Sequence, residues 1–169
     1  MVVATTFASN VARLRTLAEA GERAGRSICL MGRAMRRMVD AAIETGVLTR
    51  FPQFVSPEEA KDIPREYLML LVTGSQGERR AASAQLSNGK FQGLELKEGD
   101  LFLFSSKTIP GNERSVIRII NQLSERGVDV VDDSQGIYHV SGHANCPDIK
   151  AMHDLVKPQM VIPMHGEHR

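Results

Sequence analysis

The stretch Tyr67-Leu-Met-Leu-Leu-Val-Thr73 carries five consecutive apolar side chains between its ends. A strand sends alternate side chains to opposite faces of its sheet, so a run with no polar member requires burial on both faces. Ser27-Ile-Cys-Leu-Met31, Leu101-Phe-Leu-Phe104 and Val128-Asp-Val-Val131 are shorter segments of similar character, and Gln159-Met-Val-Ile162 reads as a last strand. Helical periodicity fills the intervals. Ser9-Asn10 can cap a helix running to about Ala24, with Val11, Leu14, Leu17 and Ala18 on one face and Gly25 as its end. A second helix spans about Gly32 to Thr45, with Met35, Met38, Val39 and Ala42 as its stripe. Further helices are predicted over Gly77 to Leu86, ended by Asn88-Gly89, over Asn112 to Arg126, and over Pro147 to Val156. Ser56-Pro-Glu-Glu59 has the form of a capping box and predicts a short helix. The fold class expected is α/β: a mostly parallel sheet with helices on both faces.

A chain of 169 residues, 42% hydrophobic and 24% charged, fits one ordinary domain with a real core. No apolar run approaches the roughly 18 residues of a membrane span, and the N-terminus has no signal-peptide pattern. Cys29 and Cys146 are too few to suggest a disulfide framework. The expected location is the cytoplasm, with no membrane partner. A net charge of +1 excludes a broadly basic nucleic-acid binder. Positive charge would have to be local, with Arg13, Arg15, Arg33, Arg36, Arg37, Arg79, Arg80 and Lys107 as candidates; most fall on predicted helices, where they also read as solvated faces.

In open α/β sheets ligands collect beyond the carboxyl ends of the strands. The loops there share a composition: Thr73-Gly-Ser-Gln-Gly-Glu78, Ser105-Ser-Lys-Thr-Ile-Pro-Gly-Asn-Glu113 and the loop from His139 to Asp148 each lead from strand to helix. Thr5-Thr-Phe-Ala-Ser-Asn10 also precedes a helix, with its own strand expected to be missing or truncated. Glycine turns leave backbone N–H groups free, hydroxyls add donors, and helix N-termini favour anions. Such loops suit phosphate oxygens, and they serve equally as turns and caps. No Gly-Lys-Ser/Thr follows, so the nucleotide-hydrolase phosphate loop is excluded.

Four of the five histidines lie in Tyr138–Ala144 and Ile162–Arg169; only His153, expected on a helix surface, falls elsewhere. His139 is expected to end a strand. His143 and His165 are each flanked by small residues, which suits a loop holding an imidazole toward a site. Two histidines do not make a zinc site, since zinc takes three or four protein ligands at close range.

Thr73-Gly-Ser-Gln-Gly-Glu78, Phe104-Ser-Ser-Lys-Thr-Ile-Pro-Gly-Asn112, His139-Val-Ser-Gly-His143 and Pro163-Met-His-Gly-Glu167 resemble, in order, motifs of the β-CASP metallo-β-lactamase nucleases, in the ribonuclease J branch. Thr5-Thr-Phe-Ala-Ser-Asn10 resembles the start of the β-CASP insert. The resemblance implies a Rossmann-like three-layer fold and a zinc-dependent ribonuclease that cuts RNA internally and from the 5′ end, with two zinc ions between its two domains. It implies that His143 is catalytic and that His165 is a zinc ligand. His139, Ser141 and Gly142 would hold a substrate phosphate. Thr73, Gly74, Ser75 and Gln76 would line the RNA channel, and Ser105 and Ser106 would position the RNA backbone.

The family's main metal motif, His-x-His-x-Asp-His, is absent from this sequence. The expectation is therefore a β-CASP domain over residues 1–158 and, over 159–169, the start of a segment returning to a metallo-β-lactamase domain that lies elsewhere. The parent protein is expected to be a homo-oligomer, and the chain alone to hold no stoichiometric zinc and cleave no RNA. The alternatives are another β-CASP nuclease, acting on RNA 3′ ends or on DNA, and a non-enzymatic nucleotide-binding α/β module.

Overall fold

The computed structural model describes residues 1–140 and 142–162. Ser141, His165 and the rest of the Pro163-Met-His-Gly-Glu167 motif lie outside them. The chain divides into two units, Met1–His139 and Val140–Arg169.

The first unit is built on a six-stranded parallel sheet. Its strands are β1 (Val2–Thr5), β2 (Ser27–Met31), β3 (Phe54–Val55), β4 (Leu68–Val72), β7 (Leu101–Phe104) and β8 (Asp129–Val131), in the order β3-β2-β4-β1-β7-β8. All five residues of β4 are buried, as the unbroken apolar run requires. The pleat sorts each strand between two cores. Val3, Cys29, Met31, Leu68, Leu70, Val72, Phe102 and Phe104 face one cluster, which also takes Val116, Ile119 and Leu123 from helix α5 (Glu113–Ser124). Ala60 of α3 (Pro57–Ala60) and Ala82, Ala84 and Leu86 of α4 (Ala82–Asn88) complete it. Ala4, Ile28, Leu30, Met69 and Leu71 face the other, covered by Leu14, Leu17 and Ala18 of α1 (Val11–Arg23) and by Met35 and Val39 of α2 (Arg33–Glu44). Helix, sheet and helix form three layers, as expected. Burying each large aliphatic side chain contributes roughly 1.5–3 kcal/mol, which makes the sheet the stable frame of the unit.

Local signals set the helix ends. Asn10 caps α1 by accepting from the Arg13 N–H at 3.1 Å. Ser56 and Glu59 form the reciprocal capping box of α3.

Several expectations are corrected. The strand before Thr6 is not missing: β1 sits in the middle of the sheet, between β4 and β7. The helix expected from Gly77 begins only at Ala82, because Gly74 and Gly77 have positive φ and residues 74–81 form successive turns instead. Residues 90–95, for which no element was expected, form an antiparallel hairpin of β5 (Lys90–Phe91) and β6 (Leu94–Glu95). His139 does not end a strand; β8 stops at Val131 and turns occupy the interval.

The second unit contains α6 (Cys146–Val156), capped by Asn145 and Asp148 reciprocally. Gln159–Ile162 is not a strand. An apolar tetrapeptide becomes a strand only when an edge pairs with it, and Met160, Val161 and Ile162 are exposed. His153 is exposed on α6, as expected, beside Asp154. Among the described residues no helix is long and apolar enough to cross a membrane.

Candidate functional site

Parallel register brings three loops to one rim. Thr5 pairs with Val72 on one side and with Phe104 on the other, so Thr6, Thr73 and Ser105 leave the sheet at the same level. The Thr5 hydroxyl donates to the Val72 carbonyl at 3.1 Å, and the Ser105 N–H donates to the Thr5 carbonyl at 2.9 Å.

The loop after β4 is shaped by its glycines. Gly77 has φ +76, and a Cβ there would stand 2.5 Å from the Ser115 carbonyl carbon. At Gly74, with φ +106, a Cβ would overlap the Ser83 hydroxyl. That hydroxyl donates to the Gly74 carbonyl at 2.8 Å, and the Ser83 N–H donates to the Thr73 carbonyl at 3.0 Å. Ser75 and Gln76 are buried. The Gln76 amide donates to the Lys107 carbonyl at 3.0 Å, and its oxygen accepts from the Ile109 N–H at 2.7 Å and from the Asn112 amide at 3.3 Å. Gln76 therefore ties the β4 loop to the β7 loop, while Thr73, half-buried, stays at the surface of the rim.

Ser105 and Ser106 are both buried but have different surroundings. The Ser105 hydroxyl donates to the Tyr138 carbonyl at 2.8 Å and accepts from the Arg13 guanidinium at 3.3 Å. Arg13 also donates to the Tyr138 carbonyl at 3.0 Å. Among the described residues the Ser106 hydroxyl has no hydrogen-bond partner. It lines a small cavity of about 190 Å³, with Phe104, Val116 and Ile120 as apolar wall and Glu113, Asp132 and Asp133 as acidic neighbours.

His139 follows Tyr138 directly and is half-buried, and its buried Nδ1 atom has no hydrogen-bond partner among the described residues. Burial lowers its pKa from the ordinary 6.5, Arg13 and Lys107 push the same way, and Asp133 opposes them. The surroundings thus favour the neutral imidazole, which can donate from one nitrogen and accept at the other. The rim combines two cations, Arg13 and Lys107, a neutral imidazole and hydroxyls. These groups suit phosphate oxygens without placing a full positive charge on the histidine.

Gly142 and His143 are described in the second unit, both exposed, ahead of the α6 cap. Ser141 and His165 lie outside the described residues. The structure of the first unit thus brings together Thr73, Gly74, Ser75, Gln76, Ser105, Ser106 and His139. Among the described residues no group of three or more His, Cys, Asp or Glu side chains is placed to hold a metal ion, so they do not by themselves fit a zinc ion. Asp132 and Asp133, in the turn after β8, border the Ser106 cavity, and Asp133 acts on His139. No local signal marks them, because their relevance depends on the return of β8 beside β7.

Comparison with known proteins bears on this arrangement. Residues 1–123 match the family model described as Ribonuclease J, beta-CASP domain, and residues 127–169 match the Zn-dependent metallo-hydrolase RNA specificity domain. Ribonuclease J of Sinorhizobium meliloti is 43% identical over 96% of this chain and 29% of its own length. Ribonuclease J 1 of Streptococcus pyogenes serotype M3 is 39% identical over 99% of this chain and 30% of its own. Ribonuclease J of Thermus thermophilus is 36% identical over 99% and 29%. The chain spans less than a third of the length of these curated relatives. With the motif loops at the carboxyl ends of β4 and β7 and the first family model matching residues 1–123, the chain belongs to the ribonuclease J β-CASP family.

Proposed function

We propose that this chain supplies the RNA-binding face and part of the catalytic apparatus of a metal-dependent ribonuclease. The observation that carries the reading is the three-loop rim of β1, β4 and β7 in a chain matching the ribonuclease J β-CASP model. Arg13 and Lys107 attract the phosphodiester backbone, and His139 stands beside them on the rim. Gln76 holds two of the loops in fixed relation, so little ordering is required when the strand binds. Ser141 and Gly142 extend the phosphate contacts, and the His143 imidazole transfers a proton at the reacting phosphate.

The printed description of the second family model names a zinc-dependent metallo-hydrolase. Within this reading His165 is one ligand of a site of two zinc ions whose other ligands lie outside this chain. Residues 159–169 lead back to the domain that carries them, and the RNA-specificity match over 127–169 overlaps that segment. Cleavage both internally and from the 5′ end, assembly as a homo-oligomer, a cytoplasmic location and inactivity of the chain by itself belong to the same proposal.

The test is cleavage of 5′-monophosphorylated RNA by the full-length protein. His143→Ala is expected to abolish cleavage and leave the unfolding midpoint unchanged. Full activity in that variant would remove His143 from the mechanism. An enzyme indifferent to the 5′ phosphate and acting only at 3′ ends or on DNA would replace this reading with another β-CASP nuclease.

A further inference from the structure

A second cleft opens at the same carboxyl end of the sheet, on the opposite side of β4 from Ser105 and His139. Met31 pairs with Val72, so the turn after β2 lies beside Thr73. The cleft has a volume of about 700 Å³, and its walls include Arg33, Arg37, Arg80, Thr73, Phe91 and Gln92. The three arginines come from two separate segments, the first turns of α2 and the loop before α4, and converge on one space. All three are exposed, and among the described residues none of their side chains makes an ion pair. Like charges gathered in a cleft without counter-charges are mutually unfavourable, and a ligand that brings negative charge relieves the repulsion. Helix α2 begins there at Gly32 with no side-chain cap, so its first N–H groups and the positive end of its dipole face the same way. Phe91, half-buried at the end of β5, adds a flat apolar surface.

We infer that this arginine cleft is a second anchoring site for single-stranded RNA, taking phosphodiester groups on Arg33, Arg37 and Arg80 and a base on Phe91. The inference rests on the proposed ribonuclease reading and adds to it a length of strand running past Thr73, which borders both rim and cleft, toward α2. A guanidinium presents its N–H groups in a fork that matches two phosphate oxygens. Guanidinium groups beside an aromatic ring suit a strand that alternates charge with stacking faces. The walls hold three guanidinium groups and no carboxylate, which favours an anionic partner over a neutral one.

Fluorescence anisotropy of the full-length protein with a single-stranded RNA of about 12 nucleotides tests it across a salt series. The combined Arg33→Gln, Arg37→Gln and Arg80→Gln variant is expected to bind roughly tenfold more weakly, and its log–log salt slope to fall by about 2. The arginine-to-lysine triple should restore the slope and recover only part of the affinity. Phe91→Leu should weaken binding without changing the slope. The arginines are exposed and unbonded, so an unchanged unfolding midpoint is the control for folding. Wild-type affinity and slope in the glutamine triple would overturn the inference and leave the ribonuclease reading standing. A wild-type protein that does not bind RNA would overturn both. Displacement of the strand by inorganic phosphate at comparable concentration would assign the cleft to a small anion and sink the strand proposal.

Discussion

The side-chain amide of Gln76 reaches from the loop after β4 to the carbonyl of Lys107 in the loop after β7, 3.0 Å away, while accepting from the Ile109 N–H. One buried residue thereby sets the spacing of two loops that sequence treats as separate. Gln76→Ala would leave the Lys107 carbonyl and the Ile109 N–H without these partners. It is expected to cost on the order of 2 kcal/mol, read from urea unfolding. Gln76→Glu would put a carboxylate oxygen against the Lys107 carbonyl and should destabilise as well, whereas a change within a few tenths of a kcal/mol would show that the bridge contributes nothing.

Gly77 has φ +76 and no room for a Cβ beside the Ser115 main chain. Gly77→Ala should destabilise by more than about 1 kcal/mol, because backbone strain and a clash with α5 act together. The thermal unfolding midpoint checks it. Gly99→Ala is the matched comparison, since φ is +80 there and the space is open; it should cost less, and an equal loss would mean the Ser115 contact is irrelevant.

His139 carries a pH prediction. Its folded pKa is lowered, chiefly by burial, from the ordinary 6.5. Below that value the unfolded chain binds a proton that the folded chain takes up only at lower pH, so stability falls as pH drops through this interval. Above 6.5 the contribution is fully present. His139→Gln should flatten that part of the stability curve between pH 7 and the lowered folded value, measured by denaturant unfolding at a series of pH values. An unaltered slope would show that the imidazole is not held neutral by its surroundings.

The core offers a stability test independent of the site. Leu70 is fully buried in the middle of β4. Leu70→Ala should cost about 2–5 kcal/mol by urea unfolding.

The layered fold was legible because its signal is local. The apolar run of β4 demands two buried faces, and Leu14, Leu17 and Ala18 repeat at helical spacing. Helix stops such as Gly89 and capping pairs such as Ser56 with Glu59 were legible for the same reason, each being a contact within a few residues. The failures have a different cause. Gln159–Ile162 has strand-like composition but no edge to pair with among the described residues. Arg33, Arg37 and Arg80 fit a solvated-face reading in sequence, because nothing in spacing shows that two segments converge on one cleft.

By itself the sequence determined most of the element types, the parallel three-layer class and the motif loops whose order resembles a nuclease family. Those properties follow from periodicity, caps and residue chemistry, which act over a turn of helix or a few strand positions. Tertiary structure alone decided that β1 lies between β4 and β7, that Arg13 meets Ser105 and that Asp133 bears on His139. Each is a meeting of residues distant in sequence or separated by turns. Only strand pairing and loop closure bring such groups together, and no local pattern records which strand will be whose neighbour.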